Sequence, residues 1–83
     1  MAVYSAIVSR RKMRLRQIFA ANLRARRNAK GLSQEDLADL AEIDRTYVSL
    51  LERCEYSASL DVVERIAIAL NVDPSDLLTS REN

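Results

Sequence analysis

One stretch of this chain, SQEDLADLAEIDRTYVSLLER at residues 33–53, restricts the fold more than any other. Counted from Gln34, apolar residues fall at the fourth, eighth, tenth, fifteenth and eighteenth places: Leu37, Ala41, Ile43, Val48 and Leu51. The fifth place is the small Ala38. These intervals predict two short helices, each with one apolar face, joined by a tight turn. Leu37, Ala41, Val48 and Leu51 would form the shared core, and Ile43 would plug the turn. A bulky side chain at position 38 would hold the helices apart.

Two helices so joined make a helix-turn-helix, a motif whose second helix enters the DNA major groove. The charge distribution agrees. The net charge is only +1, but residues 1–30 hold nine basic and no acidic residues, whereas residues 31–83 hold four basic and twelve acidic. A basic segment on an acidic body points to a polyanionic partner, and its plainer reading is a solvated tail.

Eighty-three residues allow one domain with a small core. With no histidine and one cysteine, Cys54, neither a disulfide framework nor a zinc cluster can form within one chain. Cys54 lacks a second cysteine for a redox switch and reads as a plain loop residue. No apolar run reaches membrane-spanning length. The opening MAVYSAIVSRRK places its charges after the apolar stretch, the wrong order for a signal peptide. A soluble cytoplasmic protein is the expectation. Asp36 and Asp39 suit capping and solvent exposure rather than catalysis, so an enzyme is not expected.

Five helices can be placed. The first runs from about Met13 to Lys30 and stops at Gly31, with Phe19, Leu23 and, unexpectedly, Arg27 on its inward side. The second is capped by Ser33, with Asp36 three residues on, and ends near Ala41. The third follows Asp44 and runs from Arg45 to about Arg53. The fourth is capped by Ser59 and carries Leu60, Val63, Ile66, Ala67 and Leu70 at core spacing. Asp73 and Pro74 open a short fifth helix containing Leu77 and Leu78.

The segments LRARR, GLSQEDLA, DRTYVSLLER, SLDVVERIAIAL and VDPSDLL together resemble the lambda-repressor-like, Cro/cI-type (XRE) helix-turn-helix domains over roughly Leu23 to Leu78. DRTYVS followed by LER is similar to the restriction–modification controller proteins, a branch of small dimeric regulators. The resemblance implies that Gln34 at the start of helix two grips the DNA backbone, and Ser33 beside it is counted among the DNA-binding residues. It implies base or backbone contacts for Arg45, Thr46, Tyr47, Ser49 and Leu50 on helix three, and phosphate contacts for Arg53 and Ser57. An arginine such as Arg45 can bind guanine in a bidentate way. For Arg45 and Arg53 the plainer reading is a solvated helix surface, and for Ser59 it is cap chemistry. Matching positions in related domains hold a buried ion pair, which places one between Arg27 and Glu52.

The chain departs from the pattern in three places. Glu42 stands at a turn position usually held by glycine, Cys54 follows Arg53 where glycine is frequent, and Leu50 replaces a polar or small readout residue. Transfer of a known operator sequence is therefore unsafe.

The expected architecture is all-α: a compact five-helix lambda-repressor-like domain over residues 13–79, with its helix-turn-helix at 34–53. Residues 1–12 form a basic arm for which no ordered structure is required, and residues 80–83 a tail. The expected function is sequence-specific transcriptional regulation by a homodimer on a palindromic operator. Its partners are double-stranded DNA and a second copy of the chain, with no cofactor, metal, membrane or small-molecule effector. Apolar residues left off the core stripe, Ile68, Val72, Leu77 and Leu78, would form the two-fold patch. The alternatives are an antitoxin that represses its own operon, and a protein-interaction module that keeps the fold without DNA binding.

Overall fold

The structure is a computed structural model; it describes the backbone of residues 2–80 and the side-chain burial of residues 14–80. Five α-helices follow in order: α1 (Ala2–Ala29), α2 (Gln34–Ala41), α3 (Arg45–Glu52), α4 (Leu60–Leu70) and α5 (Pro74–Leu78). No strand occurs among the described residues. No helix there is long and apolar enough to cross a membrane.

Local chemistry sets the helix starts. Ser33 Oγ accepts from the Asp36 amide at 2.9 Å while Asp36 Oδ2 accepts from the Ser33 amide at 3.1 Å, completing a capping box. Asp44 Oδ1 accepts from the Thr46 amide at 2.7 Å, Ser59 Oγ from the Val62 amide at 3.1 Å and Asp73 Oδ1 from the Ser75 amide at 2.9 Å. Pro74 occupies the first turn of α5, where its missing amide proton costs nothing.

The helix ends share one device. After α1, α2, α3 and α4 a residue enters the left-handed region: Gly31 (φ 68°), Glu42 (58°), Cys54 (60°) and Asn71 (58°). Each end closes with a paired set of backbone bonds. After α3, for example, the Glu55 amide donates to Leu50 O at 2.9 Å and the Cys54 amide to Leu51 O at 3.1 Å. Glu42 and Cys54 therefore hold a conformation that suits glycine, at a cost of order 1 kcal/mol each.

The core contains Phe19 and Leu23 from α1, Leu37, Ala38 and Ala41 from α2, and Val48 and Leu51 from α3. Val63, Ile66, Ala67 and Leu70 come from α4, and Leu77 from α5. Ala38 is 2% exposed between α2 and its neighbours, so it has no room for a larger side chain. Ile43 is half-buried at the turn. α2 packs on α3 and α4, while α1 packs on α3 and α5. Asn22 is a buried polar residue whose Nδ2 donates to Leu77 O at 3.0 Å and to Thr79 O at 2.9 Å. It fastens the end of α5 to α1.

Three expectations are corrected. The first helix begins at Ala2 rather than near Met13, so residues 2–12 continue α1. The basic side chains of Arg10, Arg11 and Lys12 lie outside the described residues, as do positions 81–83 of the tail. Leu60 is 82% exposed: as the first residue of α4 it projects beyond the core that the next turn covers. Leu77, assigned from sequence to the dimer patch, is fully buried within the chain, because α5 turns it rather than Leu78 onto the core.

Candidate nucleic-acid interface

α3 has two unlike faces. Val48, Leu51 and Glu52 are buried against the core. On the other side, Arg45, Thr46 and Arg53 are exposed, and Ser49 and Leu50 are half-buried. These positions are separated by one and three residues in turn, four within α3 and Arg53 at its C-cap, so they form one continuous strip. The strip carries two guanidiniums, two hydroxyls and no acid. Both groups suit base edges and phosphates, and Leu50 adds an aliphatic contact of the kind a thymine methyl accepts. Asp44, just before the strip, spends one carboxylate oxygen on the Thr46 amide, and Glu55, just beyond it, lies 3.7 Å from Arg53.

The end of α3 is fixed to α1 and α2 by Glu52, whose side chain is fully buried. Its Oε2 accepts from Arg27 Nε at 2.6 Å, and its Oε1 accepts from Arg27 Nη2 at 3.0 Å. Arg27 also donates from Nη1 to Leu32 O at 2.7 Å, tying in the loop before α2. Burial would raise the Glu52 pKa, but the hydrogen bonds from Arg27 and Gln34 and the charge of Arg27 outweigh it. The carboxyl is held below the usual carboxylate range. The same hydrogen bond raises the Arg27 pKa further. Both shifts favour the charged forms, so the pair is ionised at neutral pH.

Gln34 opens α2 and donates from Nε2 to Glu52 Oε1 at 3.1 Å. The bond fixes the direction of its amide, and Gln34 remains partly exposed beside the α2 N-terminus, where backbone amides favour an anion. Exposed Ser33 uses its hydroxyl and amide in the capping box. A contact from Ser33 to DNA therefore competes with its cap.

Tyr47 points away from the strip. Its hydroxyl donates to Ser57 O at 3.4 Å, and its ring meets Tyr56 edge-on with centroids 5.6 Å apart. It braces the loop that carries exposed Ser57 against α3. Ser59 is the α4 cap. Arg53 donates weakly from Nε to Ser49 O at 3.4 Å and lies 3.7 Å from Glu55, so it is free to move. Sequence reasoning missed Arg24, which is exposed and donates to Glu52 Oε1 at 3.4 Å. Its neighbours in α1 gave no periodic signal, because it lies off the apolar face.

Comparison with known proteins gives a consistent result. Residues 23–77 match the family described as "Helix-turn-helix". The control protein C.SmaI of Serratia marcescens is 40% identical over 67 residues, covering 81% of this chain and 80% of that protein. The control protein C.BamHI of Bacillus amyloliquefaciens is 43% identical over 65 residues, covering 77% and 80% respectively. The crystal structure of the restriction-modification controller protein C.AhdI from Aeromonas hydrophila superposes with a TM-score of 0.73 and 44% identity. It covers 75% of this chain and 94% of that one.

Proposed function

The chain belongs to the helix-turn-helix (HTH_3) family, and from that premise we propose that it is a transcription regulator of the restriction–modification controller type, binding a palindromic operator as a homodimer. The observation that carries this reading is the α3 strip: Arg45, Thr46, Ser49, Leu50 and Arg53 share one face, and none of the five is acidic. An interaction module without DNA binding gives those residues no reason to share a face.

In this reading α3 lies in the major groove, with Arg45 in its first turn reaching a base edge. Gln34 with the α2 N-terminus, and Arg53 with Ser57 after α3, hold the backbone. Tyr47 sets the position of the Ser57 loop. One such unit reads too few base pairs to select a genomic site, so two copies must act together. Ile68, 74% exposed on α4, with half-buried Val72 and Leu78, supplies an apolar patch off the recognition face. A two-fold dimer through that patch gives two recognition helices related as the halves of a palindrome. The control proteins C.SmaI and C.BamHI, similar over most of their length, favour a controller over an antitoxin. The regulator acts in the cytoplasm, on DNA alone, with no cofactor or effector.

Selection of bound sequences from a pool of random duplexes tests this reading. The expected result is a two-fold symmetric consensus. A pool that emerges without enrichment would refute DNA recognition, and an enriched but asymmetric half-site would refute the dimer.

A further inference from the structure

Arg24 occupies a place that the interface described so far does not use. Its side chain is 55% exposed, and its Nε lies 3.4 Å from Glu52 Oε1. That oxygen also accepts from Arg27 Nη2 at 3.0 Å and Gln34 Nε2 at 3.1 Å. A carboxylate has about four lone-pair sites shared between two oxygens, so three donors on one oxygen cannot all be well directed. The longest of the three is the weakest. Arg27 cannot leave, because its departure would strand a fully buried carboxylate. Arg24 can leave at little cost, since its contact is solvent-exposed and Glu52 keeps its other donors.

The position of Arg24 indicates what would draw it away. It shares one oxygen with Gln34, so its guanidinium stands beside the N-terminus of α2. Next to it a shallow cleft of about 270 Å³ runs between α1 and the end of α3. Gln17, Arg24 and Arg53 line this cleft together with Glu52, whose charge Arg27 already offsets. An anion there meets two exposed guanidiniums and an exposed amide.

We propose that Arg24 is a ligand for a DNA backbone phosphate: Glu52 holds it in place in the free protein and gives it up when DNA arrives, and the cleft between α1 and the end of α3 receives that phosphate. This inference rests on the reading of α3 as the recognition helix. Glu52 keeps Arg27 and Gln34 throughout, so it acts as a positioning residue and touches no DNA. The exchange replaces one charge-assisted hydrogen bond by another, which makes it reversible.

The test titrates the full chain into a mixed-sequence DNA duplex over a range of salt concentrations, comparing wild type with Arg24→Ala, Arg24→Lys and Arg65→Ala. Arg65 is an equal charge on α4, where its Nη1 donates to Glu42 O at the far end of α2. Arg24→Ala should reduce the magnitude of the log affinity against log salt slope by about 0.9, the value for one phosphate contact. Arg24→Lys and Arg65→Ala should keep the wild-type slope, and all three should melt near wild type. If Arg24→Ala fails to fold, Arg24→Gln, which keeps a donor for Glu52 without the charge, carries the same expectation. An unchanged slope in the uncharged Arg24 variant, or an equal loss in Arg65→Ala, overturns the proposal. A wild-type chain that binds no duplex at all overturns instead the DNA-binding reading beneath it.

Discussion

Arg27 and Glu52 meet in a two-pronged pair, with Nε on Oε2 at 2.6 Å and Nη2 on Oε1 at 3.0 Å, across 25 positions of sequence. The pair joins α1 to the end of α3, and through Gln34 it also reaches the start of α2. Removing one partner leaves the other charge in a site built for two. Glu52→Ala should destabilise the domain by about 3–5 kcal/mol, which is a large share of a small domain's stability. Chemical denaturation with the midpoint read by circular dichroism measures this. A midpoint equal to wild type would sink the idea that the pair holds the three helices together.

The same carboxylate sets the response to acid. The folded-state pKa of Glu52 is lowered, because the bonds from Arg27 and Gln34 outweigh the opposing effect of burial. Its stabilisation is therefore fully present above the unfolded carboxylate value, about 4.3, and is lost as pH falls through the lower folded value. Asp36 and Asp73 are lowered in the same direction by hydrogen bonds from Ser33 and Ser75. Stability measured from neutral pH downward should be level until the carboxylate range and then fall. Glu52→Gln should start less stable and show a shallower fall. Parallel curves for the two proteins would assign the acid response to other groups.

Asn22 makes a third testable case. Its two bonds to Leu77 O and Thr79 O hold α5 where Leu77 fills the core. Asn22→Ala removes the donor to both carbonyls, of which the bond to Leu77 O is buried, and should cost about 1–3 kcal/mol. The loss should be local first. Amide hydrogen exchange in α5 should quicken more than in α2 or α3, and uniform quickening would argue against a clip.

The features legible in the sequence are those written in neighbouring residues. Ser33, Asp44, Ser59 and Asp73 marked four helix starts because a cap bonds an amide two or three positions on. The apolar residues of α2 and α3 marked the turn, because a short helix can bury only one face. The misses arose where the answer depends on distant parts of the chain. Leu60 continues the α4 stripe in sequence, but at the first position of the helix it stays 82% exposed, while Val63 one turn on is buried. Five residues of α5 are too few for periodicity to choose between Leu77 and Leu78, and the bonds from Asn22, 55 positions away, accompany the choice. Residues 2–12 carry no breaker, so nothing local halts α1 at Met13. Arg24 went unnoticed because only the folded chain brings it to Glu52.

On DNA the residues should divide their work. Arg45→Ala should lose about 1–3 kcal/mol of discrimination at one base position in each half-site, leaving affinity for unrelated sequence nearly intact. Gln34→Ala should weaken all sequences by similar factors, since a phosphate contact carries no base information. Binding to the selected operator and to its single-base variants separates the two patterns. A flat loss across all variants in Arg45→Ala would make Arg45 another backbone contact.

The last prediction concerns the partner copy. Ile68 is 74% exposed on a helix whose opposite face is core, so among the described residues a large aliphatic side chain there is left mostly open to solvent. Leu78 is half-buried and packs on the core, so a charge at that position risks the fold itself. Ile68→Asp is the cleaner probe: it puts a carboxylate into the proposed two-fold patch, and into its symmetry mate at the same time. Two like charges brought together and stripped of water oppose association strongly. The variant should fold with near wild-type stability, sediment as a monomer where wild type is a dimer, and bind a palindromic operator far more weakly than wild type. Its affinity for a single half-site should be close to that of a wild-type monomer. If wild type sediments as a monomer at high concentration, the patch has no partner of its own kind. If Ile68→Asp remains a dimer, the two-fold contact lies elsewhere.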